Sequence, residues 1–311
     1  MAKPRNQLVD VLQYLALRVF QMFAHMFPVE TNYRTARLIG DLLFRFDHRH
    51  RDRAIRHLTY SFPDWSEERY AHVARLSMRN MAYLGVEFLF TTRLITLWTW
   101  RNHIRLTNLA EGIRLALARK QGLVMLTGHF GNWEIVGYAL ATLGFPTYSV
   151  ARRLDNPYLD AYAFGVRERT GQVILDKKGA SRIVPDLLEQ HEVVGFVADQ
   201  DAGRKGVFVD FFGRKASTYK TIALMAMRYH APILVGFGRR VGQGFRFEIG
   251  IERIIHPEEW ADRDDPMLWI TQEYTHALEN VIRRDPEQYL WVHRRWKHRP
   301  RGEQRPADGV A

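Results

Sequence analysis

Leu123-Val124-Met125-Leu126-Thr127-Gly128-His129-Phe130-Gly131-Asn132-Trp133-Glu134 decides how this chain is read. Four apolar residues at 123–126 suit a short strand buried on both faces. Gly128 and Gly131 let the backbone turn sharply and bring His129 close to a ligand. Asn132 is a good N-cap, which predicts a helix running on through Ile135–Leu143. The stretch therefore predicts strand, glycine turn and helix, with an imidazole at the carboxyl edge of a sheet. Glu134, five residues after His129, is the carboxylate expected to fix its tautomer, and His129 the general base for a substrate hydroxyl. Spacing alone does not establish this, because His25/Glu30 and His298/Glu303 repeat it among the thirteen histidines. The competing reading of His129 is a turn histidine bonded to backbone. The strand, the glycines and the cap set it apart.

Outward from this stretch, residues 104–298 alternate strand and helix. Strands are expected at 122–127, 146–151, 172–175, 193–199, 232–238 and 245–253. Helices are expected at 110–119, 132–143, 157–170, 180–190, 218–230 and 266–284. Such alternation implies an α/β domain, its central sheet mostly parallel with helices on both faces. Ligands in these folds gather at the carboxyl ends of strands, where His129, Arg152, Asp199 and Arg239 all fall. Residues 29–103 read as a helical, basic segment, with helices at 31–46, 48–61, 66–90 and 92–100. Ser66–Arg69 resembles a capping box after the break at Pro63-Asp64.

The first 28 residues carry a different signal. Asp10, Tyr14, Arg18, Gln21 and His25 recur at helical spacing as one narrow polar stripe, and the rest of the helix is apolar. Arg18 interrupts the run, so a helix lying in the membrane interface is expected over one that spans it. A core helix is the bland alternative.

At 311 residues, 46% of them hydrophobic, the chain can bury a large core. The absence of cysteine excludes disulfides, zinc–thiolate sites and a cysteine nucleophile. A formal charge of +11 calls for an anionic partner, either a membrane or a phosphorylated ligand. Neither a helix-turn-helix, a zinc-finger spacing nor an RNA-binding signature supports nucleic acid. Residues 293–301 form a dense basic run, read as a solvated face or as a contact to anionic lipid. The polar segment 299–311 is expected to be disordered.

Four blocks together resemble the late (lauroyl/myristoyl) acyltransferases of lipid A biosynthesis, within the glycerol-phosphate acyltransferase-like superfamily. Gly128–Glu134 resembles the family's His-x4-Asp/Glu motif. Arg152–Asp160 is similar to its Arg-Asn-Pro segment. Asp199-Gln200, with Gly206–Gly213 and Ala216–Thr218, resembles a third block, and Pro286–Lys297 a fourth. The likeness covers nearly the whole chain.

It implies a membrane enzyme at the cytoplasmic face of the bacterial inner membrane. It also implies acyl transfer to a glycolipid hydroxyl from an acyl thioester, on acyl carrier protein or coenzyme A, without metal or other cofactor. His129 and Glu134 become the catalytic pair. Asn132, Arg152, Asp199, Gln200, Arg204, Gly206, Phe212, Ser217, Thr218 and Arg239 become substrate-binding candidates.

Several of these have plainer readings. Asn132 can serve only as a cap, and Asp199 can cap the Ala202–Arg204 turn. Each arginine can be a surface ion pair instead of a phosphate ligand. Phe208, Phe211 and Phe212 can pack the core instead of lining an acyl groove. Arg153 stands where proline is common in the family, which leaves the acceptor open. A glycerophospholipid or mannolipid acceptor, or an inactive lipid-binding protein of the same fold, are the competing functions.

Overall fold

The computed structural model describes residues 6–300 and residue 302. Four helices come first: α1 (Gln7–His25), α2 (Val29–Phe46), α3 (His48–Ser61) and α4 (Glu67–Leu94). Ser66 caps α4 by accepting from the Arg69 amide, as the capping-box reading expects. One helix of 28 residues stands where two were expected at 66–90 and 92–100.

The α/β part runs β1 (Ile104–Thr107), α5 (Ala110–Ala118), β2 (Leu123–Thr127), α6 (Trp133–Thr142), β3 (Tyr148–Ala151), α7 (Pro157–Glu168) and β4 (Val173–Asp176). It continues through α8 (Ala180–Glu189), β5 (Val193–Val197), β6 (Val207–Phe211), β7 (Arg214–Thr218) and α9 (Lys220–Tyr229). Last come β8 (Ile233–Arg240), β9 (Phe247–Ile255) and α10 (Pro266–Arg284).

Seven strands form one sheet in the order β1-β9-β8-β2-β5-β3-β4, parallel at every pairing except β8 with β9. The expected mostly parallel sheet is present. Side chains alternate along β2 accordingly. Val124 and Leu126 pack into a core with α8, α9 and α10, whereas Met125 faces α6 on the other side. Three strands were not anticipated. β1 is a four-residue edge strand. β6 and β7 form a separate antiparallel hairpin, turned at Phe212 and Gly213, both at positive φ. The hairpin docks its Phe211 and Phe212 against Tyr289 and Trp291, outside the main sheet. Its residues belong to an aromatic cluster, so their pattern did not announce a strand.

The N-terminal helix forms, but none of the described helices is long and apolar enough to cross a membrane. Its polar stripe faces the protein. The Asp10 carbonyl accepts from Asn156 Nδ2 at 2.9 Å, and His25 Nε2 lies 3.1 Å from the Leu89 carbonyl. Tyr14 and Arg18 lie against Tyr158 and Tyr162 of α7. The apolar residues Leu8, Leu12, Leu15, Val19, Phe20, Met22 and Phe23 are left about half exposed or more. Leu38, Ile39, Leu42, Leu43 and Phe46 of α2 are exposed as well. The polar segment 299–311 lies almost wholly outside the described residues.

Candidate active site

Register brings the central pair together. β2 and β5 are parallel neighbours with Thr127 opposite Val197, so the residues two positions beyond each strand end, His129 and Asp199, also meet. Asp199 accepts twice from the same residue: from the His129 backbone amide at 2.8 Å and from His129 Nδ1 at 2.6 Å. With Nδ1 carrying its proton toward the carboxylate, Nε2 is the basic atom. The turn that permits this depends on two glycines. A Cβ on Gly128 would lie 3.3 Å from the Asp199 carboxylate, and Gly131 sits at φ +57° with Gly238's carbonyl where a Cβ would go.

Asp199 is almost completely buried. Burial opposes its charge, but His129, His293 and the His129 amide outweigh that and hold its carboxyl well below the usual range. It therefore stays an anion at any working pH.

His129 Nε2 faces two groups. Gln200 Nε2 is 3.2 Å from it and 3.3 Å from His293 Nε2, so one side-chain amide spans both imidazoles. The His293 ring lies 4.5 Å from that of His129, and Trp133 closes the opposite side at 4.7 Å. Burial, then repulsion from His129, pushes His293 down to about 4 despite the pull of Asp199, leaving it neutral near pH 7. Sequence spacing showed no metal-ligand cluster, yet the fold gathers one: ligand atoms of His129, Asp199 and His293 lie within 4.8 Å of one another. A cation there would have to replace the His129–Asp199 hydrogen bond, so the arrangement suits proton transfer better.

Glu134 is not the partner of His129 Nδ1. Helix α6 begins at Trp133 and carries Glu134 toward α7, where Arg167 binds both its oxygens at 2.7 Å. The hydrogen bonds that fix the tautomer of His129 come from Asp199. What Glu134 does hold is the first turn of α6, and with it Trp133 against the imidazole.

The other candidates separate into groups. Asp199 and Gln200 join the site. Asn132 is a buried N-cap, accepting from the Ile135 amide at 3.0 Å and donating to Glu87 at 2.9 Å. Arg152 is 79% exposed and pairs with Asp155, outside the hydrogen-bonded cluster around His129. Arg204 is exposed, and Arg239 is neutralised by Glu248 and Asp285. Phe212 is core. Gly206 is packed against Ser217, where a Cβ would clash. Ser217 and Thr218 close the β6–β7 hairpin, their carbonyl and hydroxyl oxygens accepting from buried Arg295 at 2.6 and 2.7 Å.

The amides at the turn are not free to hold an oxyanion. Phe130 N donates to Gly128, Gly131 N to Gln288 and Asn132 N to Gly238. The basic run is not a solvated face where it begins, since Arg295 and Trp296 are buried and His293 is at the site.

His293 and the Glu87–Arg240 pair carried no assignment from the sequence. Glu87 of α4 is fully buried, binds Arg240 through both oxygens, and reaches the turn through Asn132. Nothing in a single sequence ties position 87 to 240. His293 lay within the fourth block and was legible there only as part of a pattern.

Fold and site together define an α/β protein with a mostly parallel sheet and a carboxylate-held histidine on the turn after β2. Residues 2–298 match the bacterial lipid A biosynthesis acyltransferase family, and the chain belongs to that family and is an acyltransferase. It is 29% identical to the lipid A biosynthesis lauroyltransferase of Escherichia coli (strain K12), over 94% of this chain and 93% of that one. The lipid A biosynthesis palmitoleoyltransferase of the same strain is also 29% identical, over 85% and 84%. A phosphatidylinositol mannoside acyltransferase of Mycobacterium tuberculosis (strain ATCC 25618 / H37Rv) is 30% identical over 43% of this chain and 44% of its own.

Two predictions follow from this geometry. Asp199→Asn should lower turnover by about two to four orders of magnitude and abolish the low-field Nδ1–H proton resonance of His129. Glu134→Gln should retain that resonance while lowering the melting temperature, because Arg167 loses its counterion. NMR of the two variants separates the roles.

The second concerns pH. His293 and buried His57 both titrate at about 4 in the folded chain, against 6.5 in the unfolded one. As pH falls from 6.5 toward 4 the unfolded state takes up protons that the native state refuses, so stability is lost across that window. The melting temperature should drop by about 5 °C or more between pH 7 and pH 4.5, and His57→Gln with His293→Gln should flatten the slope in a calorimetric pH series.

Proposed function

We propose that this enzyme moves a fatty acyl chain from a thioester, on acyl carrier protein or coenzyme A, to a hydroxyl of a membrane glycolipid of the lipid A-precursor type. The observation that carries this reading is the imidazole of His129, held at Nδ1 by a buried carboxylate with Nε2 turned to Gln200 beside His293. His129 Nε2 removes the acceptor's proton as the hydroxyl oxygen attacks the thioester carbonyl. Collapse of the tetrahedral intermediate forms the ester, breaks the C–S bond and returns the proton to the departing sulfur. Asp199 stabilises the imidazolium in between. With the amides of residues 129–132 engaged, the donors left for the oxyanion are the first amides of α6.

Two relatives matched over most of this chain carry names in lipid A biosynthesis, which favours a lipid A-like acceptor over a mannolipid one, where the likeness covers under half. The enzyme works at the cytoplasmic face of the inner membrane, with α1 lying in the interface. What supports this is the inversion of α1, whose polar stripe packs on the protein while its apolar residues face outward. Water is a poor neighbour for such a face, and the acyl boundary of a bilayer a good one. The net charge of +11 favours an anionic leaflet.

His129→Ala should cut acyl transfer by about two to four orders of magnitude with little loss of folding. Mass spectrometry of the products made by purified enzyme from an acyl thioester and a lipid A-precursor glycolipid checks this. A glycolipid that gains no acyl mass with the intact enzyme would sink the reading.

Leu12→Glu with Phe20→Glu, two exposed changes on α1, should release the protein from anionic vesicles while its melting temperature holds. Sedimentation equal to that of the unmodified chain would mean that α1 does not touch the bilayer.

A further inference from the structure

A cavity of about 520 Å³ lies between α2, α3 and the segment 290–297. Its inner end is Gln200 and His293, the two residues that face His129. At its outer end Leu43 and Asp47 also line a neighbouring hollow of about 480 Å³, walled by the exposed apolar side chains of Ile39, Leu42 and Phe46. The passage thus runs from an apolar surface to Gln200 and His293, which stand beside His129.

Between those ends the walls are cationic. Arg53, Arg294 and Lys297 line the cavity, and no carboxylate among the described residues forms an ion pair with any of them. Arg53 donates to the Val292 carbonyl at 3.0 Å, a neutral partner. Burial, and then repulsion from Arg294, Arg49 and Arg56, bring its guanidinium below its ordinary value against the smaller pull of Asp47, so cations crowd it more than carboxylates offset them. The two carboxylates in the lining are already engaged: Asp47 with His50 at 2.7 Å, and Asp201 with His298 at 2.6 Å.

We propose that this cavity is a phosphate-binding site, in which Arg53, Arg294 and Lys297 hold the phosphate monoester of the acceptor lipid while its hydroxyl reaches His129. The assignment rests on the acyl-transfer reading above and deepens it. A phosphate monoester suits the charge, because three unpaired cations exceed what one carboxylate balances and guanidinium forks match phosphate oxygens. A lipid is the source because the cavity opens onto the apolar face of α2, so that a molecule entering there brings chain and headgroup together. These arginines take the part that the sequence gave to Arg152, Arg204 and Arg239.

The test is binding by the full-length protein, which needs no turnover and so stands whether or not acyl transfer is observed. Isothermal titration would use dihexanoyl phosphatidic acid, dihexanoylglycerol and coenzyme A as probes. Arg53→Gln with Arg294→Gln should weaken phosphatidic acid binding at least tenfold, leaving dihexanoylglycerol and coenzyme A unchanged. Because Arg53 also bonds backbone, Arg294→Gln with Lys297→Gln serves as a second variant, expected to weaken the same probe at least fivefold at an unchanged melting temperature. Loss confined to coenzyme A would assign the cations to the donor and overturn the proposal. Unchanged binding of all three probes in the second variant would make the cluster a solvated surface, and would overturn it too.

Discussion

The parallel register of β2 and β5 is the constraint on which the site depends. Thr127 opposite Val197 fixes where both strands end, and His129 and Asp199 then share a level two residues further on. No loop has to find this geometry, since the hydrogen-bond ladder of the sheet sets it. A one-residue slip would move Asp199 off the imidazole and turn the buried side chains of β5 to the wrong face. Catalytic alignment and core packing are therefore one requirement, enforced by the same strands. Gly131, at positive φ, lets the chain turn sharply between His129 and the start of α6, where a side chain would meet the Gly238 carbonyl.

Around this pair the fold adds support from distant segments. Glu87 and Arg240 are buried together and bind the turn through Asn132 and the Gly131 carbonyl. The strand-like segment at 289–290 closes over it, as Leu290 N donates to the His129 carbonyl at 3.0 Å. The amides of residues 129–132 are committed as well, to Asp199, Gly128, Gln288 and Gly238. Such commitment holds the imidazole in place and leaves the amides of residues 130–132 bonded to the scaffold.

The sequence made the sheet legible because strand and helix alternate with clear punctuation. α10 falls at 266–284 as expected, and α5, α6 and β2 within one or two residues. His129 was legible because glycines and a cap surround it. Its partner was not, since a carboxylate five residues downstream looks closer than one seventy residues away. Distance along the chain is a poor guide in a parallel sheet, where neighbouring strands are separated by whole helices. Glu134 fits the spacing of the motif that the sequence resembles, but spacing is not contact. Its bond to Arg167 of α7 anchors the first turn of α6, beside Trp133. The arginines erred for a related reason. Arg152 and Arg239 lie at strand ends, yet exposure in one case and two carboxylates in the other leave neither cation unpaired inside the site.

The helical segment before the sheet then acquires a reason beyond stability. Helix α4 supplies Glu87 to the turn, α3 supplies Arg53 to the cavity, and α1 and α2 supply an apolar outer face. An enzyme acting on a lipid must bring a headgroup to a base without drawing the chains through water. Transfer costs about 0.8 kcal/mol for each exposed CH₂, which would soon exceed what a few phosphate contacts return. A short path from an apolar face through a cationic cavity to an imidazole avoids that cost. Each of its three parts lies on a different element, and the packing of α2, α3 and the 290–297 segment sets their order.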